Sequence, residues 1–86
     1  MKILAKPIKM IAAFDERGAP VPLRFKIEEE GACRIVKIDK IISTEAVRPA
    51  GMDALIFLCQ SEIRGELKQY ELVYRIKAHQ WELYKV

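Results

Sequence analysis

Apolar and polar residues alternate with a period of two over much of the chain, in short runs separated by polar breaks. The first run, Ile8 to Phe14, sits behind Pro7, a residue tolerated at a strand start. Leu23 to Glu28 alternates cleanly, with Leu23, Phe25 and Ile27 in one phase and Arg24, Lys26 and Glu28 in the other. Cys33 to Ile42 carries Val36 and Ile38 in one phase and Ile35 and Ile41 in the other. Its double-isoleucine end predicts a bulge near Asp39 and Lys40, or burial on both sides. Ala54 to Gln60, apolar as far as Cys59, is placed centrally. Gln69 to Ile76 sets Tyr70, Leu72, Tyr74 and Ile76 on one face, and Trp81 to Val86 closes the chain with Trp81 and Leu83.

Gly18, Gly31, Gly51 and Gly65 each interrupt a hydrophobic run, and Lys77 to Gln80 forms a fifth break. Glycine adopts the left-handed backbone of tight turns at low steric cost, so these positions punctuate strands. Ser43 to Met52, the longest stretch without alternation, reads as a loop. Helical spacing competes over Ile63, Leu67, Tyr70, Tyr74, Ala78 and Trp81. A helix there would turn Leu72, Ile76 and Leu83 to the opposite face and hold Gly65 inside at a cost of about 1 kcal/mol. Strand phase collects the apolar residues and is preferred.

Five breaks delimit six strands. The prediction is an all-β fold, a single small antiparallel barrel or roll of about six strands and SH3-like in size. It spans residues 1–86, with a flexible basic segment at 1–6.

At 86 residues and 51% hydrophobic, the chain supports one small core and is too apolar for disorder. Compactly folded, it would expose about 5,200 Å². No apolar run exceeds the six residues from Ala54 to Cys59, which cannot span a bilayer, so no membrane partner is expected. Lys6, Pro7 and Lys9 interrupt the apolar start before a signal-peptide core can form, and a cytoplasmic location is expected. Of the net charge of +3, all arises from Lys2, Lys6 and Lys9; from residue 11 onward bases and acids balance.

Catalytic groups are sparse. His79, the one histidine, lies in a predicted turn, and none of Cys33, Cys59, Ser43, Ser61 and Thr44 stands in a nucleophile context. Cys33 and Cys59 lie far apart in sequence without metal-ligand spacing, and read as isolated small hydrophobes. Glu28-Glu29-Glu30 reads as a solvated hairpin tip, and no glycine-rich phosphate loop exists. No enzyme activity, metal or cofactor is expected.

The positive signal is a basic face. Lys9, Arg24, Lys26 and Lys37 occupy phases opposite the main apolar set, and on neighbouring strands they would form one exposed patch that attracts phosphate backbones. An ordinary solvated strand face accounts for the same residues. Base stacking would need exposed aromatics; Phe25, Tyr70, Tyr74 and Trp81 fall in core phase, which leaves Tyr84, Phe14 and Phe57. Ile11, Ile35 and Val73 take outward phases beside Lys9, Lys37 and Arg75, a pattern that fits a protein-contact or self-association face.

Pro7-Ile8-Lys9-Met10-Ile11, Arg24-Phe25-Lys26, Val36 to Ile42, Tyr70-Glu71-Leu72 and Trp81-Glu82-Leu83-Tyr84 together resemble a family of short, functionally unassigned bacterial proteins of anaerobic Gram-positive genomes. More distantly, the order is similar to small proteins that accompany lesion-bypass DNA polymerases. The resemblance covers nearly the whole chain, carries no catalytic residues, and implies a partner in DNA-related machinery. The expected function is a non-catalytic binding module contacting nucleic acid or a nucleic-acid-processing partner. The alternative is a structural or homo-oligomeric interaction domain.

Overall fold

The computed structural model describes residues 1–48, 51 and 53–86. Among them are seven strands: β1 (Ile3–Phe14), β2 (Pro20–Glu29), β3 (Ala32–Lys37), β4 (Lys40–Val47), β5 (Ala54–Ile63), β6 (Glu66–Arg75) and β7 (Gln80–Lys85). The described residues hold no α-helix, and the stretch with competing helical spacing runs from the end of β5 through β6 into β7. The fold is all-β, with seven strands instead of the expected six.

The extra strand comes from Cys33 to Ile42, which breaks at Ile38 and Asp39 into β3 and the start of β4. β4 then runs to Val47 through residues expected as loop; residues 49, 50 and 52 of that expected loop lie outside the described residues. Ser43 to Ala46 are all exposed although they pair with β5, because β4 is an edge strand held through its backbone. Without a buried face, such a strand leaves no alternating imprint on the sequence.

All pairings are antiparallel, in the order β3-β2-β1-β7-β6-β5-β4. Two meanders, β1 to β3 and β4 to β7, are joined by pairing of the chain ends. Ile3 lies opposite Lys85 and Lys6 opposite Leu83. Lys2 and Val86 exchange backbone hydrogen bonds of 2.7 and 3.0 Å. The first strand thus starts at Ile3, not Ile8, and takes in most of the basic segment expected to be flexible.

β3 and β4, the two edges of the sheet, are consecutive in sequence and linked only by Ile38 and Asp39. So short a link forces the sheet to curl into a half-barrel. The seam is tied where the chain crosses it. Ile38 N–H donates to the Leu23 carbonyl (3.0 Å), Asp39 N–H to the Gln60 carbonyl (3.1 Å), and Glu62 N–H to Asp39 Oδ2 (2.8 Å). Ser61, fully buried on β5, donates its hydroxyl to the Lys37 carbonyl at 2.7 Å. That carbonyl only accepts, which consumes the one hydroxyl proton of Ser61, so Tyr70 must donate to Ser61 Oγ across their 2.6 Å contact.

The concave side holds the core, with Phe25 and Ile27 of β2, Val36 of β3, Phe57 and Cys59 of β5, Tyr70, Leu72 and Tyr74 of β6, and Trp81 and Leu83 of β7. Phe25 meets Tyr70 edge-on at 5.6 Å, and Trp81 packs tilted against Tyr74 (4.6 Å) and Phe57 (5.5 Å). Total exposed surface is 6092 Å², above the roughly 5,200 Å² of a compact chain of this mass, as an open-ended half-barrel requires.

Irregularities reset the in/out phase. On β2, Ile11 faces Arg24 while Ala12 faces Pro22, so Leu23 is the extra residue of a bulge. Pro22 is buried in its place, and Leu23, expected inside with Phe25 and Ile27, is exposed. The bulge expected near Asp39 and Lys40 falls at Ile42, between the Ile41–Cys59 and Ser43–Leu58 pairs. Ile76, expected with the core, lies just past the end of β6 and is exposed. The β2–β3 and β5–β6 turns, Glu30-Gly31 and Arg64-Gly65, have positive φ at both central residues, as a type I′ hairpin needs.

Candidate binding face

Residues directly opposite in antiparallel strands share a face, so the register places every outward side chain of β1, β2 and β3. One row across the sheet reads Lys9–Lys26–Ile35, and the next Ile11–Arg24–Lys37. All four bases expected as site residues, Lys9, Arg24, Lys26 and Lys37, therefore stand on one convex surface. They form two like-charged cross-strand neighbours, Lys9 with Lys26 and Arg24 with Lys37. Among the described residues none of the four makes an ion pair. The acid in phase with them is Glu28, opposite Cys33 at the end of the face.

Ile11 and Ile35 are 59% and 68% exposed, and a shallow apolar depression of about 190 Å³ runs between them, bounded by Lys9, Arg24 and Lys26. The bulge delivers exposed Leu23 to the same region. Lys37 is anchored from behind, since its carbonyl accepts the Ser61 hydroxyl and its neighbour Val36 is in the core. Lys6 does not join the patch; it lies in register with inward Leu83, and its Nζ donates to the Glu28 carbonyl.

Val73, expected outward, does take the outward phase, between Ile56 and Glu82, but is only 5% exposed. Arg75 and Glu82 flank it with a two-point ion pair, Nε to Oε2 at 3.0 Å and a second contact at 3.4 Å. Those bonds hold the Arg75 guanidinium above its ordinary pKa. Glu45, Glu62, Glu71 and Glu82 stand on this outer side of β4 to β7 against Lys40, Arg75 and Lys85. The half over β4 to β7 is thus nearly balanced in charge, whereas the half over β1 to β3 is basic.

No family model, curated protein or solved structure matches this chain. The chemistry of the face is what remains to assign it.

Of the aromatics left open by the sequence, Phe57 is buried, Tyr84 is half-buried beneath Lys85, and Phe14 is 55% exposed at the far end of β1 with its ring edge-on to Tyr74. None projects from the basic rows. His79 has Tyr74 as its hydroxyl partner, Nδ1 at 3.3 Å. Cys33 is an exposed free thiol, and Cys59 is buried, which pushes its thiol up to about 12. No three His, Cys, Asp or Glu side chains gather among the described residues. No helix among them is long and apolar enough to cross a membrane.

A second basic group escaped the sequence reading. Lys6, Arg34 and Lys68 are in register with inward Leu83, Ile27 and Ser61. Each stands two residues before an inward core or core-packed residue, namely Ile8, Val36 and Tyr70. That spacing was a usable signal, since a base in core phase at a strand start must lie at an open end.

Proposed function

We propose that the chain is a non-catalytic binding module that engages nucleic acid through the outer face of β1, β2 and β3. Lys9, Arg24, Lys26 and Lys37 are the phosphate contacts. The observation that carries this is the pair of like-charged rows. Directly opposed like charges destabilise a sheet, and an anionic ligand spanning both rows supplies the missing counter-charge. With no aromatic among them, the rows offer no base-stacking platform and act as phosphate contacts along a duplex backbone. The resemblance to proteins that accompany lesion-bypass polymerases points to the same class of partner, either the nucleic acid or a protein that processes it.

Titration with a mixed-sequence DNA duplex tests it. Four phosphate contacts give a slope of log K against log salt of about −3 to −4, a loss on the order of 100-fold between 50 and 200 mM salt. No detectable binding at low salt removes the nucleic-acid assignment.

Self-association is the second reading, favoured by the uneven charge of the two convex halves and by exposed Ile11 and Ile35. The basic face of one copy would meet the glutamates on the outer side of β4 to β7 of the next, a head-to-tail contact that does not close on itself. A strict monomer by light scattering at high concentration counts against it.

A further inference from the structure

β1, β3 and β6 run in one direction and β2, β5 and β7 in the other, so the starts of the first three meet the ends of the others at one mouth of the half-barrel. A cavity of about 440 Å³ opens there, walled by Phe25, Ile27, Val36, Tyr70 and Leu83 and rimmed by Leu4 and Val86. Its size, apolar lining and position suit a small-molecule site. Outside it lies a wider vestibule of about 680 Å³ lined by Lys6, Arg34 and Arg64 together with Glu29 and Glu30. Arg34 and Glu29 line both spaces and join them.

The charges at this mouth are loosely committed. Arg34 meets Glu29 at 3.8 Å and Lys68 meets Glu66 at 3.8 Å, all four side chains substantially exposed. Lys6 donates only to a backbone carbonyl. Exposed pairs of this length are weak, and a ligand anion can displace the carboxylates. An apolar interior beneath three inward-phase cations is complementary to a molecule with one alkyl chain and one anionic head.

From this juxtaposition we infer that the mouth binds a single-chain alkyl carboxylate, its chain between Ile27, Val36 and Leu83 and its head between Lys6, Arg34 and Lys68. This site is separate from the convex basic face and does not depend on the function proposed for that face.

Calorimetric titration of the full chain with dodecanoate, below its micellisation point, tests it. One dodecanoate should bind per chain, with acetate and dodecyltrimethylammonium each weaker by roughly tenfold or more. Arg34→Glu, an exposed substitution that leaves the thermal midpoint nearly unchanged, should weaken dodecanoate by a similar factor and erase its advantage over the cationic amphiphile. Methyl NMR shifts should appear at Ile27, Val36 and Leu83. Equal binding of both amphiphiles, acetate binding as well as dodecanoate, or shifts confined to Ile11 and Ile35 on the convex face would overturn the assignment.

Discussion

The two halves of the convex surface are built from the same sheet and solve the same problem in opposite ways. Over β5, β6 and β7, Arg75 and Glu82 neutralise each other beside Val73, an outward-phase apolar residue that is buried. Over β1, β2 and β3, like charges face like charges and Ile11 and Ile35 stay open to water. Nothing in strand geometry demands that difference, since an acid at position 26 would pair with Lys9. A surface that forgoes available neutralisation is the one the proposed nucleic-acid contact would use.

The largest effect concerns that proposed contact. Replacing Lys9 and Lys26 together by alanine should shrink the salt slope of DNA binding by about 2 and weaken binding on the order of tenfold or more at moderate salt. The matching removal of Arg75 and Glu82 should leave DNA affinity unchanged; equal losses from both pairs would erase the contrast. Next comes the seam behind Lys37. Ser61→Ala strands the Lys37 carbonyl and the Tyr70 hydroxyl in the interior and should cost about 1–3 kcal/mol in urea unfolding, more than Tyr70→Phe, which leaves Ser61 its acceptor. The reverse ranking would contradict the donation order along the chain of hydroxyls.

A pH series sharpens the same point. Burial pushes the Tyr70 phenol up to about 12 from 10.0, and the Cys59 thiol up to about 12 from 9.0. Both groups are neutral in the folded state at pH values where the unfolded chain would ionise them. Their contribution is complete below about pH 9 and is lost as pH rises toward 12. The urea midpoint should therefore fall between pH 9 and 11, less so in Tyr70→Phe, and a flat profile would refute it. The smallest effect has a telling sign. Lys26→Glu should stabilise the fold by about 0.5–1 kcal/mol through its new pairing with Lys9, while weakening DNA binding. A variant that loses both stability and binding would show that the like-charged row serves the fold.

The sequence made the basic face legible because β2 alternates without interruption from Arg24 to Glu28, and Lys9 and Lys37 lie in regular stretches on either side. It hid whatever depended on phase slips or on edges. Leu23 alternates with Phe25, yet a one-residue bulge turns it outward. β4 shows no periodicity because no face of it is buried, so the seventh strand and the closure it imposes were invisible. Val73 reads as exposed because alternation reports direction and is blind to how closely outward neighbours such as Glu82 and Ile56 crowd it. The mouth cations were legible in principle, since Lys6, Arg34 and Lys68 keep core phase, but their convergence needed the strand order.

Backbone NMR of the chain titrated with a mixed-sequence duplex at low salt separates the two convex halves residue by residue. The amides of Lys9, Ile11, Arg24, Lys26, Ile35 and Lys37 should shift together and return on adding salt, while Ile56, Glu71, Val73 and Glu82 stay still. Shifts spread evenly over both convex halves, or centred on β5 to β7, would contradict the proposed contact.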